Sequence, residues 1–202
     1  MGVVTNIKPS KKTNGYHVYV DGGYSFTVSD LEFSAHEITV GQDLTTAEIA
    51  RYQKNHLESK AYTRALRYIG VRPRSVRETT DYLLRVNAQG ADEAIERLIA
   101  AGLLNDLAFA QVWIRDRQAM KPKSRRVLVQ ELRQKGVESS AIDEALSEVD
   151  PDDQIRAIEK VIEKKRRLSR FETKEKLIRY LLGQGFEYDL VKQATMSLEN
   201  ED

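Results

Sequence analysis

The side chains whose types and spacing point to chemistry in this sequence are cations, and the chemistry is the binding of anions. Arg72, Lys121 and Arg170 each stand three residues before a hydroxyl, and those hydroxyls, Ser75, Ser124 and Thr173, recur every 49 residues. Arg74 and Arg77 surround the first; Lys123, Arg125, Arg126, Arg133 and Lys135 surround the second. From Arg117 to Lys135 the chain carries seven basic residues and one acid, Glu131. Arg125 and Arg126 follow a capping serine, so they fall in the first turn of a predicted helix, where the macrodipole favours acids. Cations at that end need a reason, and an anionic partner supplies one. Lys164 to Arg167 are a different case. They close a helix that opens with Asp150, Asp152 and Asp153, so the dipole already accounts for part of that cluster.

Other chemistries lack their residues. His17, His36 and His56 have no metal-ligand spacing, and the absence of cysteine removes disulfides, thiolate metal sites and cysteine nucleophiles. No glycine-rich phosphate loop or nucleophile elbow occurs, and Gly183-x-Gly185 reads as a helix C-cap. The last helix of each predicted unit is acidic; the run Val137 to Asp150 holds Glu138, Asp143, Glu144, Glu148 and Asp150 with no lysine or arginine. Such a helix is repelled by phosphates, which argues against its reading bases in a major groove. Trp113, at helical spacing from Phe109, reads as core rather than as a base-stacking platform. The expectation is a binding protein, with no catalytic site, cofactor or metal.

The elements that must position these cations follow from periodicity. Tyr16, Val18 and Val20 alternate with polar neighbours, as do Tyr24, Phe26 and Val28, around Asp21-Gly22-Gly23, which predicts a β-hairpin. Val3-Val4 and Ile38-Thr39-Val40 are candidate added strands. Thr45 with Glu48 forms a capping box that opens a helix running to Tyr68, ended by Gly70 and Pro73. Then come the repeats: Ser75–Leu83–Gly90, Ser124–Leu132–Gly136 and Thr173–Leu181–Gly185, each a hydroxyl cap, an apolar residue eight positions on and then a glycine, which closes the helix at Gly136 and Gly185; the first repeat departs, with Thr79 where the others have leucine and a longer path to Gly90. Asp106 is the expected cap of the first helix of the second unit. A third helix carries Ile95 and Leu98, Ile142 and Leu146, or Val191, Ala194 and Leu198. Units of this kind bury their apolar faces only by stacking. The fold expectation is mainly α: three tandem three-helix repeats behind a small N-terminal β-module. The boundaries are 1–44, 45–105, 106–150 and 151–202. The 202 residues are 31 % charged with a formal net charge of +1, so the local distribution of charge, not a bulk field, must select partners. No run reaches membrane-spanning length, and the expectation is a cytoplasmic protein that is not membrane-bound.

The segment from Gly102 to Arg117 (GLLNDLAFAQVWIRDR), followed by Ser124 to Val137 (SRRVLVQELRQKGV), resembles the signature of the RecX family, bacterial regulators of the recombinase RecA. Ala65-Leu66-Arg67-Tyr68 with Arg72-Pro73-Arg74-Ser75 resembles the family's first repeat, and Lys176 to Phe186 its last. Tyr19 to Phe26 is similar to the β extension of longer members. The resemblance implies a monomer with its three tandem three-helix repeats in a curved array, which lodges in the groove of the RecA–DNA filament, blocks filament growth or promotes disassembly, and restrains strand exchange and RecA-stimulated repressor self-cleavage, without catalysis. It implies contact with the RecA filament and with single- or double-stranded DNA. The alternative is a stand-alone nucleic-acid-binding protein acting without RecA. Where many members have glycine before the second helix of the middle repeat, this chain has Lys121-Pro122-Lys123-Ser124.

Overall fold

The computed structural model describes residues 1–11, 14–166, 168 and 173–197. The chain divides into two compact units, Met1–Val71 with Thr80–Ala101, and Arg72–Thr79 with Gly102–Asp202.

In the first unit, β1 (Gly2–Pro9), β2 (Gly15–Val20), β3 (Gly23–Ser29) and β4 (Asp43–Leu44) form an antiparallel sheet in the order β3-β2-β1-β4. The β2–β3 hairpin closes on Asp21 and Gly22, both at positive φ (50° and 84°), the geometry a two-residue turn needs to match strand twist. The fourth strand is Asp43–Leu44 rather than Ile38–Val40. Ile38 is buried as a loop anchor, and Gly41, at φ 90°, turns the chain and donates its N–H to the Val4 carbonyl at 2.8 Å, so pairing with β1 starts at the turn and continues to Asp43–Leu44. A short helix, α1 (Asp30–His36), lies between β3 and that loop.

Helix α2 (Thr46–Ile69) starts on the Thr45–Glu48 capping box. It shares the module's core: Tyr52 stacks on Phe26 at 4.8 Å, among Val4, Val18, Val28, Ile38 and Leu44. Farther along, α2 packs on α4 (Ala91–Ala100), and Gly90 permits the approach, since a Cβ there would lie 2.8 Å from the Glu58 backbone. Between them, α3 (Val76–Arg85) buries Leu83 completely and stacks Tyr82 on Tyr68 at 4.1 Å.

The second unit contains α5 (Asp106–Met120), α6 (Arg125–Gln134), α7 (Ser139–Ser147), α8 (Pro151–Arg166), α9 (Lys174–Gly183) and α10 (Tyr188–Ser197). One core gathers Phe109, Ile114, Leu128, Leu132, Ile142 and Leu146; another gathers Ile158, Ile162, Leu177, Leu181 and Val191. Leu83, Leu132 and Leu181 are each 0 % exposed, the same position in three helices. Leu128 and Leu177 repeat at 49 residues, and Thr79 takes their place in α3. It is fully buried because its hydroxyl donates to the Ser75 carbonyl at 2.9 Å. Leu198, expected on the last apolar stripe, lies outside the described residues.

Two further differences from the sequence reading concern the helices. In the first repeat, where the path to Gly90 is longer, the residue that turns the chain after α3 is Asn87. Asn87 has φ 48°, and it stands 49 residues before Gly136 (φ 80°) and 98 before Gly185 (φ 82°). Each turn closes with the same bond, from the N–H of Ala88, Val137 or Phe186 to the carbonyl of Leu83, Leu132 or Leu181. Asparagine is the side chain that best tolerates this left-handed conformation after glycine. The second change concerns Asp106. The cap of α5 is Asn105, which accepts from the Ala108 N–H at 3.1 Å; Asp106 instead accepts the Val76 N–H at 2.8 Å and so serves the start of α3.

Candidate anion-binding interface

The hydroxyls that recur every 49 residues each perform two tasks. Ser75 Oγ accepts the Glu78 N–H at 3.1 Å, capping α3, and donates to the Lys135 carbonyl at 2.6 Å, at the C-terminus of α6. Ser124 Oγ accepts the Val127 N–H at 3.4 Å, capping α6, and donates to the Gln184 carbonyl at 2.8 Å, at the C-terminus of α9. Each bond spans 60 residues, linking the start of one repeat's second helix to the end of the next repeat's second helix. Both serines are essentially buried. The arginine two residues after each serine lies over the following repeat's glycine. A Cβ at Gly136 would collide with Arg77, and one at Gly185 would lie 2.7 Å from Arg126 Nε. Thr173 caps α9 through the Lys176 N–H and is exposed.

This joint sorts the ten candidate cations. Arg72 and Lys135 converge on one carboxylate: Arg72 Nη2 lies 3.0 Å and Lys135 Nζ 2.8 Å from Glu78 Oε1. Burial pushes the Glu78 carboxyl up, but the hydrogen bonds from Arg72 and Lys135 outweigh it and lower it to about 2. Lys135 also sits 5.4 Å from the Trp113 ring centroid, with the Arg117 guanidinium at 4.3 Å. Trp113 is half-buried against the α5–α7 core, its indole N–H donating to Glu131 at 2.9 Å. Burial raises the Glu131 carboxyl, and hydrogen bonds from Arg117 and Trp113 bring it below its ordinary value. Arg74 is half-buried. Arg72, Lys135 and Arg77 therefore serve the joint between repeats, a role invisible in their spacing.

The remaining described candidates line two grooves. Arg125, Arg126 and Arg133, all exposed, border an open groove of about 760 Å³ whose other residues include Val129, Gln130, Gln134 and Glu187. Arg125 Nη1 reaches the Leu146 carbonyl only at 3.4 Å. Residues 126 and 133 are two helical turns apart and so share one face of α6, and 125 borders the groove from the helix N-terminus. Guanidinium forks along one groove suit planar carboxylates or phosphates. Lys121 and Lys123 face a second groove of about 290 Å³, on whose other side stand Lys160, Lys164 and Lys165 of α8. Lys160 was not singled out from sequence; its signal was the four-residue spacing to Lys164, which puts both on one helix face. Arg170 lies outside the described residues, as does Arg167.

The joints differ in charge. At the positions 49 residues after Arg72, Glu78 and Lys135 stand Lys121, Val127 and Gln184. The joint built on Ser75 neutralises its cations internally. The joint built on Ser124 has no acid in the place of Glu78. Asp143, Glu144 and Glu148 of α7 are exposed. Among the described residues no cluster of three or more His, Asp or Glu side chains could hold a metal ion, and no helix is long and apolar enough to cross a membrane.

Three family models match the chain: the first three-helix domain of RecX over residues 61–98, the second over 105–146 and the third over 152–195. The protein named regulatory protein RecX of Bacillus subtilis strain 168 is 31 % identical over 209 residues, covering 100 % of this chain and 79 % of that protein. The protein of the same name from Lactobacillus gasseri is 28 % identical over 207 residues, covering 100 % of this chain and 76 % of its own. A crystal structure of regulatory protein RecX superposes with a TM-score of 0.79 at 24 % identity, covering 96 % of this chain and 99 % of that one. A crystal structure of RecX from Lactobacillus salivarius gives 0.63 at 25 %, covering 71 % and 97 %.

Proposed function

The chain belongs to the RecX family of regulatory proteins, and from that premise we propose that it binds RecA–DNA filaments and restrains their recombinase and coprotease activities. The observation that carries the reading is the sorting of cations just described. Arg125, Arg126 and Arg133 form an exposed face along α6 and make no ion pair among the described residues, beside a joint whose counterpart holds its own carboxylate. Exposed like charges concentrated on one helix raise the local potential and favour an acidic partner surface. The exposed acids of α7 form another face of the same unit, suited to a nucleoprotein partner that presents both signs of charge.

The test is co-sedimentation with RecA filaments assembled on single-stranded DNA, beside the same DNA without RecA. Retention on filaments at salt concentrations that release the protein from bare DNA supports the reading. Equal retention on both supports the alternative, a nucleic-acid-binding protein acting without RecA. Replacing Arg125, Arg126 and Arg133 by glutamine weakens filament binding in this account. The same change at Glu138, Asp143, Glu144 and Glu148 leaves binding to DNA intact.

A further inference from the structure

We propose that the lysine-lined groove formed by the α5–α6 loop, α8 and the α9–α10 turn is a track for the backbone of a single nucleic-acid strand. The proposal rests on the reading above, since it supposes a regulator that meets nucleic acid, and it assigns that contact to a surface separate from the arginine groove of α6.

Lys121 and Lys123 stand on one wall, and Lys160, Lys164 and Lys165 on the other. None of the described residues lining the groove is acidic, whereas the arginine groove includes Glu187. The dipole at the end of α8 explains why Lys164 and Lys165 are basic, but it does not explain Lys160 in the body of the helix. Nor does it explain two lysines from the preceding repeat converging on the same hollow. The C-termini of α5 and α8 bring roughly half a negative charge each, which five ammonium groups outweigh.

The ligand class follows from the cations and the shape. Lysines are compact point charges that hold phosphates without a bidentate fork, so this groove can follow the phosphodiesters of a flexible strand. Cations on both walls of a hollow of about 290 Å³ embrace a single strand, while a duplex is too broad to enter and meets one rim. Phe186 and Tyr180 also line the groove, with the Lys165 ammonium 5.0 Å from the Tyr180 ring, and an unstacked base gains contact there that a paired base does not.

The experiment measures anisotropy of a labelled oligothymidylate with the full chain, without RecA, across a range of potassium chloride. A duplex of equal length and polyglutamate serve as competitors. The parent binds the single strand more tightly than the duplex. Replacing Lys121, Lys123, Lys160 and Lys164 together by glutamine weakens binding at least tenfold. It also makes the slope of log K against log salt shallower by about 3, since each lost single-strand contact removes about 0.7. Circular dichroism confirms that the variant is folded; should it not be, Lys160→Gln alone, in the exposed body of α8, reduces the slope by about 0.7. Lys54→Gln, at an exposed lysine that lines neither groove, leaves the slope unchanged. An unchanged slope in the lysine variants overturns the proposal. So does equal binding of duplex, or stronger competition by polyglutamate than by unlabelled oligothymidylate. Loss of these effects with filament co-sedimentation intact removes the groove and keeps the filament reading. Failure of the parent to co-sediment removes the filament reading whatever the oligonucleotide result.

Discussion

Replacing Glu78 by glutamine removes the one carboxylate on which Arg72 and Lys135 converge. The carboxyl falls from an ordinary 4.5 to about 2 in the fold. A shift of that size corresponds to about 3 kcal/mol. The Arg72 side chain is 42 % exposed, so solvent screens part of the attraction, and we expect a loss of about 1–2 kcal/mol at pH 7. The sign with pH is fixed. Because the folded carboxyl is more acidic than the unfolded one, its stabilisation is complete above about pH 4.5 and disappears as pH falls towards 2. Trp113, the only tryptophan, lies beside Lys135 and reports unfolding of this unit. Urea titrations followed by its fluorescence should show a gap between parent and variant that is full at pH 7 and pH 5 and shrinks progressively below pH 4.5. Lys135→Met should be non-additive with Glu78→Gln, as partners in one ion pair are. A gap that stays constant from pH 7 to pH 3, or strict additivity, would refute the assignment of Glu78 as the clasp.

Leu132→Ala should cost about 2–5 kcal/mol, because Leu132 is fully buried in the α5–α7 core; Leu84→Ala, at a site 59 % exposed, should change stability by less than about 0.5 kcal/mol in the same urea titration. Gly136→Ala should destabilise by more than about 1 kcal/mol, because the new methyl meets Arg77 in a left-handed turn, whereas Asn87→Gly should be neutral or stabilising in thermal unfolding. A chain beginning at Thr45 should expose Ile49 and the Tyr52 face that Phe26 covers, giving dye binding and early melting of α2 by circular dichroism; a native melting curve would contradict a shared core.

The helices were legible in the sequence because their signals are local. The Thr45–Glu48 box, the 49-residue hydroxyl rhythm and the leucine eight residues on each depend on neighbours within two turns. The Asn87 turn was harder, since the glycine of the first repeat comes three residues later and asparagine at the repeat spacing meets the same backbone demand. The strand expected at Ile38–Val40 had the right β-branched residues, but pairing with β1 depends on where Gly41 lets the chain turn. The candidate cations were all visible as charges, yet their duties were not. Glu78 and Lys135 are 57 residues apart, and the serine-to-carbonyl bonds span 60, so only tertiary structure separates cations spent on a joint from cations facing outward. Lys160 stands apart from the Lys164–Arg167 run, and two of its groove partners, Lys121 and Lys123, come from another repeat.

The most direct measurement adds the protein to RecA filaments already assembled on single-stranded DNA and follows ATP hydrolysis together with filament length by electron microscopy. The account predicts that hydrolysis falls and filaments shorten as protein is added, and that a variant with Arg125, Arg126 and Arg133 changed to glutamine needs a higher concentration for the same effect. Hydrolysis rates and filament lengths that do not change at saturating protein would contradict it.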